Sequence, residues 1–229
     1  MPRHLRAPAL STPPMNTRPR RRLLPVLAIG ASLSLLVVGA WPWLQSRTLE
    51  AKARSLPDFG PLPHFELRDQ EARAFTQAQL ERRVVVADFF FTRCPTVCPL
   101  LTERMARLQR RAREQDVPVH FVSFSVDPRY DTPERLAAYA RDHALDTANW
   151  SLVTGPLEQV ETTVLKGFRV MMGRAEEADE DDFLSLFHGE HFVLVDAAGR
   201  LRGYYRVTED PQGLEQLLED ASALAHAAR

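Results

Sequence analysis

Apolar and β-branched residues are concentrated in four short stretches of the chain, a pattern typical of β-strands. The first stretch, Val84–Phe91, is apolar almost throughout, which predicts a strand buried on both faces. The other three are Val119–Val126, His191–Val195 and Leu201–Tyr205. Turn residues 197–200 separate the last two stretches, so we expect these two strands to form a hairpin.

Helical spacing of apolar residues appears directly after the first of these strands. From Pro99 to about Gln115, the residues Leu101, Met105 and Leu108 fall on one helical face. Pro99 suits the first turn, where its missing N–H costs nothing. This pattern predicts a helix that follows the first strand immediately.

A second helix is predicted to begin at the sequence Asp131-Thr132-Pro133-Glu134 and to run to about His143. In this interpretation Asp131 is the capping residue, because Pro133 would occupy the first turn and Glu134 stands three residues after the cap. A shorter helix is predicted at Leu157–Leu165, and a closing helix at residues 211–227.

Strands that alternate with helices and end in a hairpin predict an α/β fold with a central sheet of mixed direction flanked by helices. The order of these elements is that of a thioredoxin-like domain. Prolines at positions 57, 61 and 63 mark its beginning, so we predict a folded domain over residues 61–229.

The segment before this domain has a different character. Residues 1–22 carry six arginines and no acidic residue, and residues 23–44 carry no charge. Twenty-two uncharged, mostly apolar residues can span a hydrocarbon core of about 30 Å. The sequence therefore predicts a basic cytoplasmic tail (1–22), a transmembrane anchor (23–44), a polar linker (45–60) and a domain outside the cytoplasm. A cleaved signal peptide is the alternative, although its apolar region is usually only about 7–15 residues long.

The charge balance argues against one class of partner. The 229-residue chain has a formal net charge of −1, so removing the +6 of the tail leaves −7 for the remainder. A nucleic-acid-binding domain would favour a basic face, so no nucleic-acid partner is expected.

Only two cysteines occur, Cys94 and Cys98, and they stand where the first strand gives way to the first helix. A spacing of four residues at a helical turn brings two side chains to one face, about 5–6 Å apart. The pair can form a disulfide, a redox couple or two thiolate ligands of a soft metal ion such as Cu(I) or zinc. The positive end of the helix should stabilise a thiolate at Cys98.

A metal site would need a further ligand, and His188 and His191 are the candidates nearest to a predicted strand. They are three positions apart, so in a single extended segment their side chains would point to opposite faces. The residues alone leave the choice between them open. Met171 and Met172 offer soft thioethers, although packing is their simpler interpretation.

Three segments together resemble the signature blocks of the Sco/SenC family of copper proteins: FFFTRCPTVCP, SVDPRYDTPE and HGEHFVLVDAAGRLRGYY. The resemblance covers roughly Phe65 to Leu218. It implies a thioredoxin-like domain tethered to the bacterial cytoplasmic membrane by a single span, with the mitochondrial inner membrane as the alternative. It also implies a role in assembling the dinuclear copper centre of cytochrome c oxidase.

The same resemblance implies that copper is bound through Cys94, Cys98 and His188, with Asp127 as an acidic residue that supports the site or docks a partner. The implied partners are the copper-bearing subunit of cytochrome c oxidase and other copper chaperones. A strand-end cap is the alternative for Asp127. One departure from the family pattern is Glu71-Ala72-Arg73, which stands where members often have a glycine turn.

Two functions follow from these residues. The first is a copper metallochaperone, and the second is a thiol–disulfide oxidoreductase that keeps the cysteines of another copper site reduced. In the second, Cys94 would attack a disulfide of the other protein and Cys98 would resolve the resulting mixed disulfide. A disulfide would then join Cys94 and Cys98. The three-residue spacer and the histidine favour the chaperone, because thioredoxin-like reductases mostly use two spacer residues. Peroxide reduction is less favoured, since Phe91 stands where peroxiredoxins have threonine.

Overall fold

The computed structural model describes residues 44–174, 186–210 and 212–228. The chain divides into two compact units, Met1–Gln45 and Ser46–Arg229. The predicted basic tail at 1–22 lies outside the described residues, and so does the predicted anchor at 23–44 except for its last position. Among the described helices, none has the length and apolar character needed to cross a bilayer.

A helix, α1, covers residues 44–55 of the described chain, and all but its first residue lie inside the interval predicted as a linker. Ala53 of this helix is buried, and the Lys52 ammonium pairs with Glu219 at 2.8 Å and Asp220 at 3.1 Å. Because these contacts reach the far end of the chain, α1 is part of the folded unit, which thus begins before residue 61.

Seven strands form the central sheet, in the order β2-β1-β5-β4-β3-β8-β9. They are β1 (Glu66–Asp69), β2 (Ala74–Thr76), β3 (Val84–Phe90), β4 (Val119–Ser125), β5 (Trp150–Thr154), β8 (His191–Val195) and β9 (Leu201–Arg206). Strands β3, β4 and β5 run parallel, and the remaining pairs are antiparallel. The predicted mixed sheet is confirmed, and so is the hairpin β8–β9. A separate two-stranded sheet joins β6 (Met172–Arg174) to β7 (Leu186–His188).

The remaining helices are α2 (Val97–Glu114), α3 (Pro133–Asp142), α4 (Leu157–Glu161) and α5 (Gly213–Ala227). A π-helical segment, Thr162–Phe168, extends α4 beyond its predicted end, and a short 3₁₀ turn covers Gln77–Gln79. Helices α2 and α5 contact each other and β3, whereas α3 packs on β5.

The predicted cap of α3 is wrong. Thr132 is the capping residue, since its side chain accepts a hydrogen bond from the Arg135 N–H at 3.4 Å. Asp131 lies one position earlier and is completely buried. Its carboxylate is occupied by hydroxyl and backbone donors inside the protein, and it therefore takes no part in capping.

The turn between β1 and β2 needs no glycine. Ala72 adopts a left-handed backbone with φ of 60°. The buried Asp69 carboxylate accepts hydrogen bonds from the N–H groups of Glu71 and Arg73, each at 2.9 Å. These two bonds hold the turn in the conformation that glycine would otherwise adopt most readily.

Strand β3 determines where the cysteines lie. All seven of its residues are buried, as the apolar pattern predicts, and it pairs with β4 in parallel and with β8 antiparallel. Because β3 and β4 are parallel, their carboxyl ends meet at one edge of the sheet. The Cys94 loop follows β3 and Asp127 follows β4, so the two are neighbours at this edge.

Candidate metal centre

The two cysteines lie on either side of the start of α2. Cys94 is in the loop after β3, where its N–H donates to the Phe91 carbonyl at 3.2 Å. Cys98 is the second residue of α2, which begins at Val97, slightly before its predicted start. Both are free thiols, with Cys94 8% exposed and Cys98 fully buried.

A hydrogen bond between the two thiols affects their acidity in opposite directions. It lowers the pKa of Cys94 to about 5 despite the burial of this residue. The same bond, together with burial, raises the pKa of Cys98. This contact favours a thiolate at Cys94, whereas the position at the start of the helix favours one at Cys98.

His188 is the histidine that reaches the thiols. Its Nε2 lies 3.5 Å from the Cys98 Sγ. On the other side of the ring, Nδ1 lies 3.2 Å from the Gly189 carbonyl, an acceptor that requires the proton to be on Nδ1. The ring packs edge-on against Phe91, and burial lowers the pKa of His188. A neutral imidazole with an unprotonated Nε2 directed at a thiol is the form that binds metal ions.

His191 lies in a different environment. It begins β8, and its Nε2 accepts a hydrogen bond from the Arg206 Nε at 3.3 Å. Burial lowers the pKa of His191 as well. The structure therefore separates the two histidines that the sequence left open: His188 contacts Cys98, and His191 contacts Arg206.

The distance between Cys98 and His188 suits two ligands of one metal ion. Tetrahedral bonds of about 2.3 Å to sulfur and 2.0 Å to nitrogen put the two ligand atoms about 3.5 Å apart. The observed separation is 3.5 Å. Two sulfurs and one imidazole form a donor set for a soft ion, Cu(I) or zinc. Cys98 contacts both Cys94 and His188. Within the described ranges, no cluster of three His, Cys, Asp or Glu side chains is already arranged for metal binding.

Asp127 lies beside the cysteine loop without touching a thiol. Its carboxylate accepts a hydrogen bond from the Arg93 Nε at 2.8 Å, and the Asp127 side chain is only 4% exposed. The Arg93 guanidinium also stacks on the Tyr130 ring at 4.4 Å. Because Arg93 directly precedes Cys94, this ion pair links Asp127 to the cysteine loop.

The Asp131 carboxylate forms hydrogen bonds with Thr92, the residue before Arg93. Its carboxylate accepts from the Thr92 N–H at 3.1 Å, the Thr92 hydroxyl at 2.5 Å and the Ser125 hydroxyl at 2.6 Å. The Ser125 hydroxyl in turn accepts from the Asp127 N–H at 3.1 Å. A chain of hydrogen bonds, which we call the loop clamp, thus joins Thr92, Asp131, Ser125, Asp127 and Arg93, and the peptide bond between Thr92 and Arg93 closes it into a ring.

One buried group near the thiols is not apparent from the sequence. Asp88 lies in the middle of β3, and burial raises its pKa to about 7. Among the described residues its Oδ1 has no hydrogen-bond partner. Its negative charge adds to the effects that raise the pKa of Cys98. The one signal in the sequence is an acidic residue within an otherwise apolar strand.

Comparison with known proteins gives a family match over most of the chain. The SCO1/SenC family model matches residues 57–223. A protein of Stutzerimonas stutzeri named as copper-binding is 30% identical over 210 residues, which cover 90% of this chain and 96% of that protein.

Two solved structures extend the likeness to the fold. A SCO1/SenC family lipoprotein from Bacillus anthracis has a TM-score of 0.65 and 36% identity, covering 72% of this chain and 95% of the other. BsSco has a TM-score of 0.61 and 28% identity, covering 74% of this chain and 97% of the other. It is described as having a disulfide switch and as a member of the Sco family of cytochrome c oxidase assembly proteins. The predicted thioredoxin-like α/β domain is thereby confirmed, and the chain belongs to the SCO1/SenC family.

Proposed function

We propose that this protein is a copper metallochaperone that binds one copper ion through Cys94, Cys98 and His188. The observation that carries the proposal is the 3.5 Å approach of the His188 Nε2 to the Cys98 Sγ, with a second sulfur in hydrogen-bond contact. The copper-binding name of the Stutzerimonas stutzeri relative supports copper over zinc as the cargo. Thiolates are sufficient for Cu(I), whereas Cu(II) gains from the imidazole nitrogen.

Delivery by ligand exchange follows from the different positions of the ligands. Cys98 is fixed in a helix and fully buried, whereas Cys94 belongs to a loop and is the more exposed of the two thiols. An incoming thiolate or imidazole of a recipient would displace Cys94 first, while Cys98 and His188 still hold the ion. The loop clamp keeps the Cys94 loop in place during the exchange.

The proposed setting is the bacterial cytoplasmic membrane, with residues 23–44 as the anchor and the domain on the extracytoplasmic side. The proposed recipient is the copper-bearing subunit of cytochrome c oxidase, with other copper chaperones as donors. The support for this recipient is the description of BsSco as a member of a family of oxidase assembly proteins.

A specific observation favours a second function, that of a thiol–disulfide oxidoreductase. The hydrogen bond with Cys98 lowers the pKa of Cys94, which favours the nucleophilic thiolate form of this sulfur. It could attack a disulfide of the recipient and release one thiolate, after which Cys98 attacks the mixed disulfide and releases the other. The recipient gains two electrons and two protons, and the Cys94–Cys98 pair is left oxidised.

One mixing experiment separates the two functions. Reduced protein loaded with Cu(I) is combined with the metal-free copper-bearing subunit of cytochrome c oxidase, prepared once with its cysteines reduced and once with them as a disulfide. A chaperone transfers copper to the reduced subunit and keeps both of its own thiols. A reductase reduces the oxidised subunit equally well without copper. If the subunit acquires neither copper nor thiols, the proposal is wrong.

A further inference from the structure

The hairpin that carries His188 also carries a second soft donor. In the antiparallel pairing of β6 with β7, Met172 stands directly opposite His188. Residues paired in this way project from the same face of a sheet, with Cβ atoms about 4.5–5.5 Å apart. Because the His188 side chain reaches Cys98, Met172 projects from the face that carries the site.

The burial of the two adjacent methionines fits this orientation. Met172 is 8% exposed, whereas Met171 is 69% exposed. Neighbouring residues in extended backbone alternate between faces, so the inward side chain is that of Met172. Leu186, two residues before His188 on β7, lines a cleft of about 240 Å³ together with Met172 and Asp127. Asp127 also accepts a hydrogen bond from Arg93 of the cysteine loop, so Asp127 is shared between the cleft and that loop.

The chemistry of the site leaves room for such a donor. Two thiolates and one imidazole are three ligands, and a thioether is a soft ligand that favours Cu(I). In other copper sites with cysteine and histidine ligands, a methionine occupies a weak, long axial position. Resting on the function proposed above, we infer that the Met172 thioether is a fourth, weak copper ligand that stabilises Cu(I) relative to Cu(II).

The test compares three proteins: wild type, Met172→Leu and Met171→Leu. Leucine has nearly the volume of methionine and lacks the sulfur, so packing is preserved. Affinities for Cu(I) and Cu(II) are measured by competition with chelators on reduced protein, and thermal unfolding of the metal-free proteins reports on folding. We expect Met172→Leu to lower Cu(I) affinity about tenfold, the low end of the effects seen when a metal site loses one supporting group. Cu(II) affinity should change less, and Met171→Leu should match wild type in both.

The outcomes separate this inference from the proposed function. If wild type binds copper and Met172→Leu binds both ions as wild type does, the methionine is a packing residue and the inference is wrong. An equal loss for Cu(I) and Cu(II) would also contradict it, because a general disturbance of the fold does not discriminate between oxidation states. If wild type itself binds no copper, the proposed function fails and this inference with it.

Discussion

Replacing either Cys94 or Cys98 with serine should abolish stoichiometric copper binding. A serine hydroxyl is a hard, protonated donor of similar size, so each change removes a soft thiolate and leaves the volume of the site nearly unchanged. The loss for Cu(I) should be at least about a hundredfold, beyond what a supporting residue contributes to a metal site. Equilibrium dialysis against a Cu(I) chelator measures it. The chain has only two cysteines, so a thiol titration of each variant gives an unambiguous count.

Thr96→Val is the matched control for the cysteine variants. The Thr96 hydroxyl lies 3.9 Å from the Cys94 sulfur, so this variant changes the same loop and removes no proposed ligand. It should retain one copper ion per chain. If Cys94→Ser or Cys98→Ser also retains one ion with the affinity of wild type, the copper is bound elsewhere.

Asp131→Ala should be strongly destabilising, by about 3 kcal/mol in the free energy of unfolding. The change leaves the Thr92 N–H, the Thr92 hydroxyl and the Ser125 hydroxyl without their acceptor at a position with no exposure to solvent. Each buried donor left unpaired costs about 1–3 kcal/mol, offset in part because the carboxylate no longer has to be desolvated. Urea unfolding of the metal-free, reduced protein measures the loss.

Two further variants provide reference values for the free energy of unfolding that Asp131→Ala loses. Thr132→Ala removes the observed cap of α3 and should cost about 1 kcal/mol. Asp131→Asn keeps the shape and an acceptor oxygen, so it should cost less than Asp131→Ala. If Asp131 were the cap, Asp131→Ala would cost about 1 kcal/mol and Thr132→Ala almost nothing. That ranking would contradict the loop clamp.

The parts of the fold that follow local rules could be predicted from the sequence. An unbroken apolar run marks β3 as a central strand, and helical spacing marks α2 directly after it. Together they put the cysteines at the carboxyl end of a buried strand, where α/β folds place their sites. The hairpin β8–β9 could be predicted as well, because its turn residues separate two clear strand patterns.

Short strands and long-range contacts could not be predicted in the same way. Strand β5 has five residues and β6 has three, too few for a periodic pattern to stand out. Asp131 has the sequence context of a helix cap, and only the folded protein brings it to Thr92, which is 39 positions away. The local capping rule therefore predicts that the Asp131 carboxylate caps the helix. In the folded protein the carboxylate instead accepts hydrogen bonds from buried donors outside the helix.

The choice of histidine is a second case in which local pattern is insufficient. His188 and His191 have similar sequence surroundings, and the family resemblance rather than the spacing favoured His188. In the structure they belong to different strands, β7 and β8, with two residues between them. His188 then meets Cys98 across 90 positions of sequence, a contact that depends on the whole sheet.

Copper titration of the reduced wild type, His188→Ala and His191→Ala tests whether two thiolates and His188 bind one copper ion. Visible absorption and electron paramagnetic resonance follow the Cu(II) form. His188→Ala should lose or shift the intense sulfur-to-copper absorption of Cu(II) and lose less of its Cu(I) affinity, because both thiolates remain. His191→Ala should match wild type, since its imidazole contacts Arg206 rather than a thiol. If His191→Ala loses the Cu(II) signal while His188→Ala keeps it, or if neither variant changes it, the ligand set proposed for this protein is wrong.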